Sequence, residues 1–373
     1  MSDSPASPLS PDTHSVRAGS ATLDDVARVA GVSPITVSRV INKPEIVSKK
    51  TIQRVQSAIA ETGYIPNLLA GSLVSQRSRL VIVVVPNIAN RVFVDTVDRL
   101  GQCLATARYQ LLLAQSDLSA EGELALIDSI LARRPDGIVL THPLQTSAAR
   151  ARLRSRGTPV VEAWEIHEDP IDTVVGFSHP SAGAAMADHI VSNGYTSVAL
   201  IWSEDARATQ RRVACEQRLI EADVEILAIE LTPVPVAVGY GRDAMAQIFD
   251  KLPERPQAVL CSIDLLAQGA MAEAQARGLG IPGDLAVMGF GDLEFAAHTF
   301  PRLSTIRIDG ARVGELVAER LLARIAGTLA AGTCVDDVGF ALVVRGSTWP
   351  GRYSARTSRP FFTEICSFNV QKS

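Results

Sequence analysis

From Leu80 onward the chain alternates two kinds of segment with little else between them. Apolar, β-rich runs (LVIVVV at 80–85, then YQLLLAQ, DGIVLTHP, TPVVEAW, TSVALIW, VEILAIE, QAVLCS and DLAVMGF) are separated by stretches of helical periodicity such as GELALIDSILARR and GRDAMAQIFDKL. Strands that are apolar along their whole length are buried on both faces. When they take turns with amphipathic helices they pair parallel, with helices covering the sheet. The pattern predicts α/β architecture with doubly wound parallel sheets. About 270 residues exceed what one such core organises, so two similar lobes are expected, from about 79 to 177 and from about 178 to 305. Leu80–Val85 is too short to cross a membrane and stops at Pro86, and no membrane partner is expected.

Ahead of these runs lies ATLDDVARVAGVSPITVSRVIN, which carries helix punctuation and no strand signal. Thr22 can cap a helix whose Leu23, Val26, Ala27, Val29 and Ala30 recur at helical spacing, and Asp24 and Asp25 suit its positive N-terminal end. Gly31 ends it. Ser33 caps a second helix with Pro34 at its first position, where a missing N–H costs nothing. Val37, Val40 and Ile41 would face inward, leaving Pro34, Ile35, Ser38 and Arg39 outward. Two short helices joined by a glycine-containing turn make an all-α helix-turn-helix, whose second helix enters the DNA major groove. Arg39 is the best base reader on it, because a guanidinium fork matches guanine O6 and N7. The continuation VSKKTIQRVQSAIAETGYIPN offers Ser48 as the cap of a third helix with Ile52, Val55, Ile59 and Ala60 as its apolar stripe. Its first turn holds Lys49, Lys50 and Thr51. Cations there oppose the helix dipole unless an anion is bound, and backbone phosphate is the obvious anion. Residues 21–79 contain eight Lys and Arg against four Asp and Glu in a chain of net charge −4, so the positive field is confined to this end.

LDDVARVAGVSPITVSRVIN, VSKKT, GYIPN and the following LLAGSL resemble the headpiece of the lactose-repressor (LacI) family of bacterial transcription regulators. The resemblance covers residues 21–75 in register, and the family's order of parts continues to about Thr348. It implies a helix-turn-helix domain at 21–66, a hinge helix at 67–78 and a bilobal core at 79–348 that binds ligand and dimerises. Double-stranded operator DNA is then the partner of a homodimer. The expected DNA-binding residues are Thr22, Ser33, Pro34, Ile35, Thr36, Ser38, Arg39, Asn42, Ser48, Lys49, Thr51 and Tyr64, joined by Asn67, Ala70 and Leu73 of the hinge. In the family the hinge becomes helical when two copies meet on DNA, and a leucine from each is wedged into a minor-groove step. Leu73 takes that place, and such a wedge bends the duplex. Gly71 stands where many relatives have arginine, which removes a phosphate contact and lowers helix propensity. The implied core is of periplasmic-binding-protein type. A helix at 309–327 returns to the first lobe, residues 333–346 join the second, and a ligand cleft lies between lobes at the carboxyl ends of the strands.

The resemblance also locates a ligand arginine early in the first helix after the second lobe's leading strand. TQRRVACEQRL puts Arg212 there, three residues before Cys215, where the family usually has glycine; Arg207 and Arg211 beside it read as surface charges. A guanidinium fork holds a carboxylate through two charge-assisted hydrogen bonds. Ile263 stands where sugar binders often have asparagine, with Asp264 beside it, and Gly291 stands where many have a ligand aspartate, leaving Asp292. Losing a carboxylate from a cleft that keeps arginine favours an anion, so the expected effector is a sugar acid. RPDGIVLT, TPVVE, VVGF, AERLLARIAGT and GFALVVRGST also resemble the family's gluconate-operon repressors, which implies gluconate or a close derivative as the effector. In the first lobe Arg91, Phe93, Thr141, Glu162 and Trp164 are further ligand candidates.

Other chemistry finds little support. Five cysteines lie far apart with no CxxC pair, which argues against disulfides and zinc and for a reduced cytoplasm. Gly278, Gly280 and Gly283 satisfy GxGxxG but follow a helix and precede a strand, the reverse of a dinucleotide site. His167, Glu168 and Asp169 sit in a polar loop with no second ligand motif. With no Walker loop, GxSxG or HExxH, no enzyme, cofactor or metal is expected. The competing reading is a sugar-binding or sugar-metabolising α/β protein whose helical N-terminus does not bind DNA. Residues 1–20, rich in Ser and Pro, read as a disordered arm, and 349–373 as a tail without leucine heptads.

Overall fold

The computed structural model describes residues 21–65, 77–86, 91–116, 119–330 and 332–349, and the chain divides into two compact units, one ending at Gln76 and the other beginning at Arg77. The expected arm, the hinge through residue 76 and nearly all of the tail lie outside the described residues.

The first unit has three helices, α1 (Leu23–Ala30), α2 (Pro34–Asn42) and α3 (Lys49–Thr62), each begun by a hydroxyl cap. Thr22 Oγ1 accepts from the Asp25 N–H at 3.3 Å while the Asp25 carboxylate accepts from the Thr22 N–H at 3.0 Å, a reciprocal capping box. Ser33 and Ser48 accept from the N–H groups of Thr36 and Thr51 at 3.2 and 3.3 Å. Gly31 ends α1 in the left-handed conformation, with φ of 61°. Val26, Val37 and Val55 are fully buried, with Ala27, Ala30, Val40 and Ala58 around them. Along α3 it is Ala58 rather than Ala60 that completes this small core.

The second unit is built on two parallel sheets. In the first lobe β1 (Leu80–Val85), β2 (Gln110–Gln115), β3 (Gly137–Leu140), β4 (Val160–Ala163) and β5 (Thr173–Gly176) lie in the order β2-β1-β3-β4-β5. Helices α4 (Val94–Thr106), α5 (Ala120–Ala132) and α6 (Ser147–Arg156) connect them. The continuous apolar run of β1 has the expected consequence: Val81, Val83 and Val85 enter one apolar cluster, and Ile82 and Val84 enter another on the opposite face. The second lobe contains α7 (His179–Ser192), β6 (Ser197–Ser203), α8 (Ala206–Glu221), β7 (Glu225–Thr232), α9 (Val238–Lys251), β8 (Ala258–Cys261), α10 (Asp264–Ala276) and β9 (Ala286–Met288), with sheet order β7-β6-β8-β9. Beyond β10 (Thr305–Arg307), helix α11 (Gly310–Ala326) returns to the first lobe and packs on α4. The approach is so close that a Cβ on Gly314 would stand 2.4 Å from the Thr96 carbonyl oxygen, so only glycine fits there.

One boundary is corrected. Residues 333–346 do not belong wholly to the second lobe: β11 (Cys334–Asp337) pairs parallel with β5 at the edge of the first sheet, and only β12 (Ala341–Val343) pairs with β10, antiparallel. The CVDD strand alternates half-buried and exposed residues at an edge, so it carries little of the apolar signal that marks the other strands. The chain therefore passes between lobes three times, after β5, after β10 and after β11. Among the described residues no helix is long and apolar enough to cross a membrane.

Candidate functional site

The first unit presents cations that nothing neutralises. Arg39, Lys43, Lys49, Lys50 and Arg54 are exposed and have no hydrogen bond or ion pair among the described residues, whereas Arg28 is held by Asp25 at 2.8 Å. At the start of α2, Pro34 and Ile35 are exposed, Ile35 at 64%. The hydroxyls of Thr36 and Thr51 bond those of the caps Ser33 and Ser48 at 2.9 Å, and Asn42 donates to the Ser38 carbonyl at 3.0 Å. Tyr64 packs half-buried against the core. Thr22, Ser33 and Ser48 thus fix the helix starts, while Arg39 and Lys49 keep free charged ends. Asn67, Ala70 and Leu73 lie outside the described residues.

In the second unit a cleft of about 450 Å³ opens between lobes. The first lobe contributes Arg91, Val92, Val94 and Asp95 from the start of α4, and Trp164 from the end of β4. The second contributes residues 291–295 after β9, and the floor is the crossing segment 307–311. Trp164 and Asp292, on facing walls, both hold left-handed backbone, with φ of 75° and 49°. Non-glycine residues adopt that conformation at a cost, and such residues cluster where a surface must be aimed. The Trp164 indole donates to Thr96 Oγ1 at 3.2 Å, and Phe93 meets it edge-on at 5.2 Å, buried behind it.

The charge of this lining differs from the expected positive cleft. It holds Arg91 and Arg307 against Asp95, Asp292, Glu294 and Asp309. Asp292 lies between two guanidiniums, Arg307 at 2.5 Å and Arg345 at 2.6 Å, and Asp309 caps α11 through the Arg312 N–H at 2.9 Å. Arg91 has no partner among the described residues.

The arginines of α8 exchange their expected roles. Arg212 turns away and pairs with Glu216 one turn on, outside the cleft lining. Arg207 and Arg211, expected on the surface, are the inward ones. Arg207 reaches across to the first lobe, donating to Glu165 at 2.9 Å, to the Thr141 carbonyl at 2.6 Å and to the Ala163 carbonyl at 2.9 Å. Arg211 is 6% exposed and lies 3.9 Å from the Phe290 ring centroid. It bonds His179 Nδ1 at 2.8 Å and the Ser262 carbonyl at 3.1 Å, while its Nε has no partner. Burial and the Arg211 charge hold His179 far below the usual histidine range, so this partner is neutral, and burial draws Arg211 itself down to about 10. Arg211 is thus a buried cation bonded only to neutral groups. It stands beside the cleft wall: Phe290 precedes the lining residue Gly291, and His179 bonds the carbonyl of the lining residue Trp164 at 3.0 Å. A signal for this was present, because Ala208, Arg211, Cys215 and Leu219 form one buried helical stripe.

Three other candidates are placed away from the cleft lining. Glu162 sits on the opposite face of β4 from Ala163 and is bound by Arg150 at 3.0 Å and the Ile171 N–H at 2.6 Å, with His167 at 3.4 Å. Asp264 is fully buried; its carboxylate accepts from Thr305 Oγ1 and from the Leu293 N–H, both at 2.7 Å, and burial pushes its pKa up to about 7. Thr141 is buried, its hydroxyl on the Val84 carbonyl at 3.0 Å. In the 167–169 loop Asp169 pairs with Arg154 at 2.6 Å, and Gly280 makes a turn with Asp284 at 2.8 Å. No group of three His, Cys, Asp or Glu side chains among the described residues could hold a metal.

Comparison with known proteins agrees with both units. Residues 22–67 match the family model for bacterial regulatory proteins of the lacI family, and residues 187–348 match a periplasmic binding protein-like domain. The chain is 36% identical over 339 residues to the HTH-type transcriptional regulator GntR of Pseudomonas aeruginosa, covering 90% of this chain and 98% of that one. It is 31% identical over 326 residues to GntR of Escherichia coli, covering 87% and 98%. Among solved structures it is similar to a LacI-family transcriptional regulator from Silicibacter pomeroyi, with a TM-score of 0.81, 30% identity and 88% and 99% of the two chains covered. It is also similar to the lac repressor dimer bound to operator and the anti-inducer ONPF, with a TM-score of 0.78, 27% identity and the same coverage. These relatives are regulators of transcription rather than enzymes, and the chain belongs to their family, the DNA-binding transcriptional regulators of the LacI family.

Proposed function

We propose that this regulator is a cytoplasmic repressor that holds a twofold operator as a homodimer and releases it when a small sugar acid, gluconate or a close derivative, seats between the lobes. In this reading α2 enters the major groove with Arg39 on a guanine edge and Pro34, Ile35, Thr36, Ser38 and Asn42 beside it. Lys49, Ser48 and Thr51 at the start of α3 take a backbone phosphate, with Thr22, Ser33 and Tyr64 bordering the duplex. Two hinges meet over the minor groove through Asn67 and Ala70, with Leu73 as the wedge. The similar lac repressor structure is a dimer on its operator, and a twofold protein reads a twofold site.

The observation that carries the acidic effector is Arg211. A buried cation without a counter-ion is costly, and a ligand carboxylate would neutralise it. Arg211 replaces Arg212 in this role, and the unpaired Arg91 at the rim adds a second attraction for an anion. Asp95, Glu294 and Asp309 supply acceptors for hydroxyl groups, so a polyol chain ending in a carboxylate fits the lining. Effector that favours one angle between the lobes shifts the dimer between states and changes operator affinity by the coupling free energy, about 1–3 kcal/mol. Titrating labelled operator with and without gluconate tests this. Binding about 5- to 150-fold weaker is expected, with the response lost in Arg211→Met and the ligand-free operator affinity kept. Unchanged or tighter operator binding would refute induction, and a full response in Arg211→Met would refute the arginine's role.

A further inference from the structure

His142 follows Thr141 at the carboxyl end of β3, the end of that sheet that faces the junction of the lobes. It is 8% exposed, and neither ring nitrogen has a hydrogen-bond partner. The backbone beneath it is fixed from two sides. The Thr141 N–H and hydroxyl both donate to the Val84 carbonyl at 3.0 Å, and the Thr141 carbonyl, in the peptide that joins the two residues, accepts from Arg207 at 2.6 Å. The ring is therefore rooted where the second lobe reaches the first. A buried donor and acceptor left unmet are costly and rare in folded chains.

The neighbours do not meet the need. Arg207 directs its donors at Glu165, Thr141 and Ala163. Glu123, the nearby acid, already accepts from the Gln145 and Thr146 N–H groups and the Thr146 hydroxyl, at 2.8, 2.9 and 2.7 Å. Burial, aided by the Arg207 charge and opposed by Glu123, holds the imidazole pKa at about 4, so at neutral pH the ring offers one N–H and one lone pair and no charge.

We propose that His142 is a specificity residue that reads a hydroxyl group of the effector from the first-lobe wall. A carboxylate only accepts and would suit the N–H alone, and a cation would be repelled by Arg207; a hydroxyl both donates and accepts, so it serves whichever nitrogen faces it. The inference rests on the sugar-acid reading and narrows it, assigning the acid end to Arg211 and the hydroxyl-bearing chain to His142.

The test uses the full chain labelled with ¹⁵N in histidine, and as probes gluconate, its deoxy analogues and the neutral polyol glucitol. The His142 ring resonances, assigned with His142→Phe, are expected to move on binding. His142→Phe, which keeps the ring's bulk without its nitrogens, should weaken gluconate about tenfold, while a deoxy analogue lacking the hydroxyl it reads loses nothing further in the variant. Ligand-free operator affinity and Tm should stay near those of the parent. If no probe moves the His142 resonances, or if His142→Phe binds gluconate within about twofold of the parent, the proposal is overturned. If glucitol binds with a His142 response and gluconate does not bind, the acidic reading falls while the role of His142 stands.

Discussion

The headpiece and the cleft handle polar side chains in opposite ways. In residues 21–65 the charged ends lie in the open, and the buried core is a handful of valines and alanines. In the cleft region the chemistry is enclosed: Arg207, Arg211, Asp264, His142 and His179 are all buried or nearly so, most of them bound to fixed partners. An exposed cation with no partner suits a large polyanion that arrives from outside and can bridge many such groups at once. A buried group with an unmet atom suits a small molecule that replaces the partner the fold omits. One chain thus carries two kinds of incompleteness, matched to partners of very different size.

Four measurements would break or sharpen that contrast. The largest effect belongs to Trp202, wholly buried beneath the second lobe's sheet with its indole donating to the Ala208 carbonyl at 2.6 Å. Trp202→Ala should destabilise the second unit by about 3–5 kcal/mol and leave the headpiece transition unmoved in calorimetry; equal shifts of both transitions would merge the two units into one cooperative block.

Acid comes next. His142 is held at about 4, and His179 and His189 are also lowered by burial. In the unfolded chain these rings take up protons near 6.5, so between pH 6.5 and 4 the unfolded state binds more protons and stability falls as pH falls. His142 alone accounts for roughly 3 kcal/mol. Residues 21–65 contain no histidine, so the second unit should melt at lower temperature through this window while the headpiece holds; a parallel loss in both would contradict the assignment.

Arg39→Ala should weaken the operator by about 1–3 kcal/mol with no change in Tm or in gluconate binding, as read by mobility shift and calorimetry; retained affinity would remove Arg39 from the base-reading surface. The smallest effect is Thr22→Ala, which deletes one half of a capping box and should cost the headpiece about 1 kcal/mol. A change beyond that would mean Thr22 does more than begin α1.

The headpiece could be read from sequence because its determinants are local. Caps, Gly31, Pro34 and the spacing of Val26, Val37 and Val55 are each decided within a few residues. The alternation of strands and helices was equally plain, since strands such as β1 are apolar on both faces. The cleft was harder because its chemistry turns on orientation. Arg211 and Arg212 are adjacent letters about 100° apart around a helix, and only the buried stripe through Ala208, Cys215 and Leu219 tells which faces in. Glu162 has the strand parity opposite to Ala163, so its place near the end of β4 did not bring it to the cleft. The pairing of β11 with β5 escaped notice because an edge strand need not be apolar.

The three passages between lobes have a mechanical corollary. Three tethers at separate points forbid one half from sliding or spinning freely against the other and leave rocking about their common line as the soft movement. One tether, 307–311, is also the floor of the cavity, so an occupant presses on the pivot itself. A shift of a fraction of an ångström there is magnified with distance along each half, which lets so small a visitor command the far ends of a protein this size.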